Sequence, residues 1–156
     1  MRGNVQEAIK YIDEAIGYTE SDEEQDADYY FEAAAFCFKN GLIAKSFEYA
    51  RQAPDLDHDK SITGKVYLLM GQIWGSQNCG GDEISKRAPY WVAVDYMQKA
   101  KNADATLTDE CNKYIASYSK YYPQTAEAFM YDVTDGQAYT VRCNGMTAST
   151  VVRTQK

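Results

Sequence analysis

The sequence predicts an all-α fold of antiparallel helical hairpins stacked in a row, closed by a capping helix and followed by a small β-hairpin tail. One observation is a small-large-small stripe at helical spacing, formed by Ala93, Met97 and Ala100. The same offsets of zero, four and seven recur at two other places: Ala8, Ile12 and Ala15, and more weakly Ser46, Ala50 and Ala53. In the tail, Asn144-Gly145 separates two β-rich stretches, which predicts a two-residue hairpin turn.

The first three predicted helices follow from apolar stripes and from the residues that end them. Residues 4–18 form the first helix, and the acidic run at residues 17–28 predicts an exposed loop. A second helix at residues 27–40 ends at an Asn-Gly pair, which tolerates positive φ. The third, residues 42–53, ends before Pro54. Two antiparallel helices with a minimal turn form a hairpin.

Two sets of residues repeat the hairpin pattern. The first set is Tyr30, Ala33, Ala34, Cys37, Gly41, Ser46, Ala50 and Ala53, and the second is Tyr67, Met70, Gly71, Trp74, Ala93, Met97, Ala100 and Ala105. These positions resemble the aromatic, small, glycine and alanine positions of the tetratricopeptide repeat (TPR). Cys37 replaces a tyrosine and Ala105 the terminal proline. The resemblance implies a right-handed solenoid over residues 1–122: the back half of one repeat, two full repeats and a capping helix.

The second unit carries an insertion at residues 75–88. Trp74 and Ala93 are separated by 19 positions, where a repeat of 34 residues uses about nine. Within the insertion, Gly80-Gly81 predicts a turn and Asp82 a cap for a short helix, while Pro89 fits a helix start or a kink. The insertion is therefore either a decoration of the stack or a part of its binding face.

The last predicted helix covers residues 109–120, with Thr108 as its cap. Its apolar stripe consists of Cys111, Tyr114, Ile115 and Tyr118. No partner helix follows, so this helix is expected to cap the open end of the stack. Residues 123–156 are expected to form a separate appendage, with a short helical turn near residues 125–131 before the hairpin. Because a lone hairpin is marginal in water, it must pack on the stack, pair with another chain or stay partly flexible.

Residues 128–153, together with the stretches CGGDE and YWVAVDYMQKAK, resemble the C-terminal part of exported TPR proteins of gut-associated Gram-negative anaerobes. The resemblance implies an extracytoplasmic protein of the periplasm or cell envelope, with a signal peptide outside this sequence; a cytoplasmic location is the alternative. The resemblance implies no catalytic activity. If the protein is exported, Cys79 and Cys143 could form a disulfide that ties the tail to the insertion.

The remaining candidates for chemistry have simpler structural explanations. Cys37 and Cys111 fall on apolar helix faces, and the four cysteines form no CxxC pair, so a zinc site is poorly supported. The acidic cluster around His58 has Asp55, Asp57 and Asp59 at alternate positions, but it lacks the glycine and glutamate that an EF-hand requires. Capping of the neighbouring helices explains this acidic cluster better than metal binding does. With one histidine and no catalytic motif, we expect no enzyme, metal or cofactor.

Net charge and hydropathy restrict the kinds of partner that the protein is expected to bind. Residues 1–80 carry 7 basic against 14 acidic side chains and residues 81–156 carry 9 of each, which gives the net charge of −7. An acidic half repels phosphate groups, so nucleic acid is disfavoured as a partner. No apolar run approaches the roughly 20 residues that cross a bilayer, so no membrane span is expected.

The sequence favours a non-enzymatic scaffold that binds a peptide or protein segment in a concave groove. Resemblance to peptide-binding repeats points to these groove residues: Asp28, Phe31, Ala35, Phe38, Lys39, Lys65, Leu68, Gln72 and Ser76. Burial between helices is the alternative for Phe31, Phe38 and Leu68. The alternative function is a structural module that caps a longer solenoid, with its β tail mediating oligomerisation or attachment by strand addition. The sequence leaves the ligand and the oligomeric state open.

Overall fold

A computed structural model describes residues 2–16 and 22–155 of the chain. The described part is mostly helical with one small antiparallel sheet. Its elements are α1 (Arg2–Ile16), α2 (Glu23–Lys39), α3 (Ile43–Ala50), α4 (Ala53–Leu56), α5 (Thr63–Gly75), α6 (Glu83–Ala103), α7 (Thr108–Ser119), α8 (Thr125–Met130), β1 (Ala138–Cys143) and β2 (Met146–Val151). The prediction of a helical protein with a β-hairpin tail is confirmed.

Two predicted boundaries in the first half are wrong for local reasons. Helix α2 begins inside the acidic run that was expected to be a loop, because the Asp22 carboxylate accepts a hydrogen bond from the backbone N–H of Gln25 at 2.7 Å. The third helix ends at Ala50, and Pro54 lies in the first turn of the separate helix α4. The rest of the predicted loop, residues 17–21, and the end of the predicted first helix lie outside the described residues.

In the second half, residues 83–88 of the insertion belong to helix α6. Asp82 caps α6 itself, accepting from the backbone N–H of Ser85 at 2.8 Å, so α6 starts ten residues before Ala93. Pro89 lies within this helix instead of at its start. The predicted cap Thr108 is the first residue of α7, and its hydroxyl donates to the carbonyl of Ala105 at 2.7 Å.

Consecutive helices pack on one another along the described chain: α1 on α2, α2 on α3, α3 on α5, α5 on α6 and α6 on α7. The α5–α6 pair is close because small residues meet there. A Cβ atom on Gly71 would lie 2.8 Å from Met97 Cε and 3.1 Å from the carbonyl oxygen of Ala93. Ala93, Met97 and Ala100 are fully buried. The small-large-small stripe therefore lies at a helix contact.

The hairpin tail packs on α6 and shares one hydrophobic core with the helices. The Trp91 indole N–H donates to the carbonyl of Arg153 at 2.9 Å, and the Arg153 guanidinium donates back to the carbonyl of Trp91 at 2.9 Å. Arg153 also forms an ion pair with Asp95. The Trp91 side chain is fully buried. Residues 123–155 are thus docked on the helical part, without a core of their own.

A covalent bond and the turn fix the tip of the hairpin. Asn144 and Gly145 both have positive φ, 51° and 83°, as a type I′ turn requires. Cys79, before α6, and Cys143, at the end of β1, form a disulfide with their Cα atoms 5.2 Å apart. Beside it, the Asn144 side-chain amide donates to the Gln77 side-chain oxygen at 2.8 Å. The tip of the tail is therefore tied to the start of the insertion.

Candidate functional site

A shallow pocket of about 270 Å³ lies where α2, α5 and α7 meet. It is lined by Phe38, Gln72, Gly75, Ser76, Tyr114 and Tyr118. None of these side chains carries a charge at neutral pH, and three of them are aromatic. The pocket is smaller than the roughly 300–1,000 Å³ of most small-molecule sites, and a larger cavity of about 670 Å³ lies between α7 and residues 151–155.

Helical spacing explains how the walls are built. Gln72 and Ser76 are four residues apart on α5, and Tyr114 and Tyr118 are four apart on α7, so each pair projects from one side of its helix. Gly75 lets the two helices meet, because a Cβ atom there would lie 2.4 Å from Cζ of Tyr118. The tyrosine ring can therefore rest against the α5 backbone.

Hydrogen bonds and stacking hold the side chains in place. The Gln72 side-chain amide donates to the Tyr114 hydroxyl at 2.7 Å, and Ser76 Oγ donates to the carbonyl of Ile73 at 2.8 Å. The rings of Tyr114 and Tyr118 stack with centroids 5.7 Å apart. Within the described ranges, no hydrogen bond engages Gln72 Oε1 or the Tyr118 hydroxyl. The pocket thus offers a free acceptor at Gln72 Oε1 and free donors at the hydroxyls of Tyr114, which only accepts from Gln72, and Tyr118.

The Tyr118 hydroxyl stays protonated over the whole physiological range. Burial, followed by the neighbouring Tyr114 and Tyr90, raises its pKa to about 12. A neutral phenol can donate a hydrogen bond, whereas a phenolate only accepts. The free hydroxyl is therefore a donor in the pocket.

The structure brings together three of the nine predicted groove residues, namely Phe38, Gln72 and Ser76. The other six do not line this pocket: Asp28, Phe31, Ala35, Lys39, Lys65 and Leu68. Phe31 is half-buried against the main core, and Leu68 packs against the cluster of Met97, Ala100 and Cys111 between α5, α6 and α7. Asp28, Ala35, Lys39 and Lys65 are exposed on α2 and α5.

Sequence reasoning missed Gly75, Tyr114 and Tyr118 as site residues. The two tyrosines were assigned to the apolar stripe of the capping helix, and Gly75 to the insertion. A signal existed: if the hairpins stack, the helix after the second hairpin continues the row of first helices that includes α2 and α5. Its inward residues should then line the same face.

The other candidate groups play structural roles. Burial alone would raise the pKa of Asp57, but hydrogen bonds from Thr63 Oγ1 at 2.6 Å and from the backbone N–H of Ile62 at 3.0 Å lower it. This carboxylate stabilises the start of α5. Cys37 and Cys111 are buried free thiols, and burial raises the pKa of both.

Across residues 2–16 and 22–155, no group of three or more His, Cys, Asp or Glu side chains is arranged to hold a metal ion. In the same ranges, every helix is too short or too polar to cross a bilayer.

Comparison with protein-family models, with curated proteins and with solved structures gives no match to this chain. The geometry of the pocket and of the surfaces around it is therefore the basis for proposing a function.

Proposed function

We propose that the chain is a non-enzymatic scaffold that binds a peptide or protein segment across α2, α5 and α7. One observation carries the proposal: Phe38, Gln72 and Ser76, predicted as groove residues, meet Tyr114 and Tyr118 in one uncharged pocket. These residues come from three helices that would be the first helices of consecutive hairpins. This arrangement supports a right-handed TPR-like solenoid, in which first helices line the concave face and α7 caps the end.

The walls favour one kind of ligand side chain. Phe38, Tyr114 and Tyr118 offer aromatic surface to an aromatic or prolyl side chain, and such burial supplies most of the affinity at peptide sites. Gln72 Oε1 can accept from a backbone N–H of the segment, and the Tyr118 hydroxyl can donate to a backbone carbonyl. The pocket therefore suits an uncharged, extended segment. Lys39 and Lys65 are exposed on α2 and α5 and do not line the pocket.

The disulfide supports an extracytoplasmic location. Disulfides persist in oxidising compartments and are rare in the cytosol. The Cys79–Cys143 bond is therefore expected in a protein of the periplasm or cell envelope. Buried Cys37 and Cys111 are compatible with either compartment.

The test uses a phage-displayed peptide library selected on the full chain, followed by two matched variants. Ser76→Trp fills the pocket, whereas Ser117→Trp places the same side chain on an exposed position of α7 that does not line it. Selected peptides should be rich in proline or aromatic residues. Their affinity, measured by calorimetry, should fall at least about tenfold for Ser76→Trp, the loss of about 1.4 kcal/mol, and stay unchanged for Ser117→Trp. Equal affinity for both variants would reject the pocket.

The second candidate function, a module that caps a longer solenoid and attaches through its tail, is favoured by a free strand edge on the hairpin. The two functions use different residues, because the pocket lies on α2, α5 and α7 and the edge lies on β2. Separate variants therefore distinguish them.

A further inference from the structure

The outer edge of β2 carries unpaired backbone groups. In the hairpin, Thr147 faces Arg142 and Ser149 faces Thr140 across the two strands. The bond from the Val152 N–H to the carbonyl of Gln137, at 2.8 Å, fixes the alternation of hydrogen-bonded and non-bonded pairs. By that alternation, Thr147 and Ser149 are non-bonded positions, so their N–H and C=O groups point away from β1. Within the described residues, no hydrogen bond engages these groups.

This edge faces a groove between the hairpin and two helices. One cavity of about 400 Å³ is lined by α6 and by residues 147–149 of β2. An adjoining cavity of about 370 Å³ is lined by α3 and by residues 145–147. The two cavities share Thr147, and β1 lines neither of them. The groove therefore follows the side of β2 opposite to β1, with Tyr96 of α6 and Phe47 of α3 on its helical wall.

The edge lacks the devices that usually protect strand edges. Proteins block free edges with charged side chains, prolines or bulges. Strand β2 has the sequence MTASTV, without a charge or a proline, and its side chains at the outer-edge positions Thr147, Ser149 and Val151 are exposed. The β1 edge, in contrast, carries the charged side chain of Arg142. The unprotected edge is thus the one beside the groove.

The shape of the groove favours a single strand over a second copy of the chain. Each hairpin is backed by its own α6. A second copy that paired through β2 would bring its own hairpin and α6 to an edge that α3 and α6 of the first copy already flank. One extended segment needs only the strand spacing of about 4.8 Å.

Charged side chains line both parts of the groove, with Asp95 and Lys99 in the first cavity and Glu48 and Arg51 in the second. Asp95 is already paired with Arg153. Lys99 has its ammonium nitrogen 5.1 Å from the centre of the Tyr96 ring, and no carboxylate of the described residues forms an ion pair with it. A carboxylate on the incoming strand would supply that missing partner.

We propose that the outer edge of β2 binds an extended segment of another protein by strand addition, with β-branched side chains along it and a carboxylate facing Lys99. The segment would become the third strand of the sheet, bonded to the backbones of Thr147 and Ser149 and packed over Phe47 and Tyr96. This surface is separate from the pocket on α2, α5 and α7, and the inference does not depend on that pocket.

The test is an NMR titration of the full, oxidised chain with the probe peptide acetyl-Thr-Val-Glu-Val-Thr-Val-amide. Two proline variants provide the matched pair. Ser149→Pro removes an N–H that points into the groove, and Thr140→Pro removes the N–H of the residue directly opposite, which points to the other edge. Neither change removes a bond between β1 and β2.

The proposal expects amide shifts at Thr147 and Ser149, saturating at millimolar peptide. Affinity should fall at least tenfold in Ser149→Pro and stay within twofold in Thr140→Pro, and replacing Glu by Lys in the peptide should weaken binding. Absence of saturable shifts, equal loss in both variants, or shifts centred on another surface would overturn the proposal. Concentration-dependent dimerisation of the free chain that Ser149→Pro abolishes would overturn it in favour of a second copy.

Discussion

Removal of the disulfide is expected to lower the free energy of unfolding without undocking the tail. The perturbation is the double variant Cys79→Ser/Cys143→Ser. The bond closes a loop with a sequence separation of 64 residues. Three other contacts keep the hairpin on the helical part: the Asn144–Gln77 hydrogen bond to the segment before α6, and, on α6 itself, the reciprocal bonds of Trp91 and Arg153 and the Asp95–Arg153 ion pair. The variant should therefore fold.

The magnitude follows from the entropy of the unfolded chain. Cross-linking a loop of this length removes about 14 cal/mol/K from the unfolded ensemble, which corresponds to about 4 kcal/mol at 25 °C. Since typical domains are stable by 5–15 kcal/mol, the loss would move the unfolding midpoint far toward lower urea concentration.

Urea denaturation followed by circular dichroism measures the effect on three samples: the oxidised chain, the same chain with reductant, and the double variant. The last two should agree with each other and lie about 4 kcal/mol below the first. A thiol reagent should find two reactive cysteines in the unreduced, denatured chain. A difference below about 1 kcal/mol between the oxidised chain and the variant would refute the argument that the bond restricts the unfolded state.

Three further predictions concern the helical part. Gly71→Ala should lower stability by about 1–3 kcal/mol in urea denaturation, because the new Cβ would lie 3.1 Å from the carbonyl oxygen of Ala93, a backbone atom that cannot rotate away. Stability should fall as pH rises above about 10, since Tyr118 then ionises in the unfolded chain but stays neutral in the fold up to about pH 12; Tyr118→Phe should reduce this slope in thermal melts. Asp57→Ala should cost about 1–2 kcal/mol at pH 7 by removing the acceptor at the start of α5, and Asp55→Ala, at an exposed position, should cost less than 0.5 kcal/mol.

Features set by neighbouring residues could be predicted from the sequence. The stripe of Ala93, Met97 and Ala100 depends on the helical period alone, and the turn at Asn144-Gly145 depends on two residues that adopt positive φ. Both are local rules. The helical protein with a hairpin tail follows from them.

Features that depend on competition between signals were missed. Asp82 was predicted to cap a short helix, but it caps a single long helix that continues through Pro89. The missing N–H of the proline costs a helical bond, yet Pro89 itself is buried, so packing offsets that loss. Whether packing outweighs the lost hydrogen bond depends on the elements that surround Pro89, and the local sequence does not show which elements those are.

The candidate pocket was predicted in part for a similar reason. Phe38, Gln72 and Ser76 lie on α2 and α5, and the predicted repeat pattern had assigned them to one groove. Tyr114 lies 42 residues after Gln72 and meets it only because α7 packs after α6. The apolar stripe of α7 indicates burial but not which side chains at its margin reach a pocket.

The two proposed surfaces share no lining residue, which makes their tests independent. The pocket is built from α2, α5 and α7, whereas the edge groove is built from α3, α6 and β2. Ser76→Trp should therefore weaken binding of library peptides at least about tenfold and leave the NMR titration at β2 unchanged, and Ser149→Pro should do the reverse. If either variant weakened both interactions, the two surfaces would be coupled through α6, which contacts α5 and α7 as well as the hairpin. Unaltered binding in the crossed experiments would instead establish a chain that can hold two different segments at once.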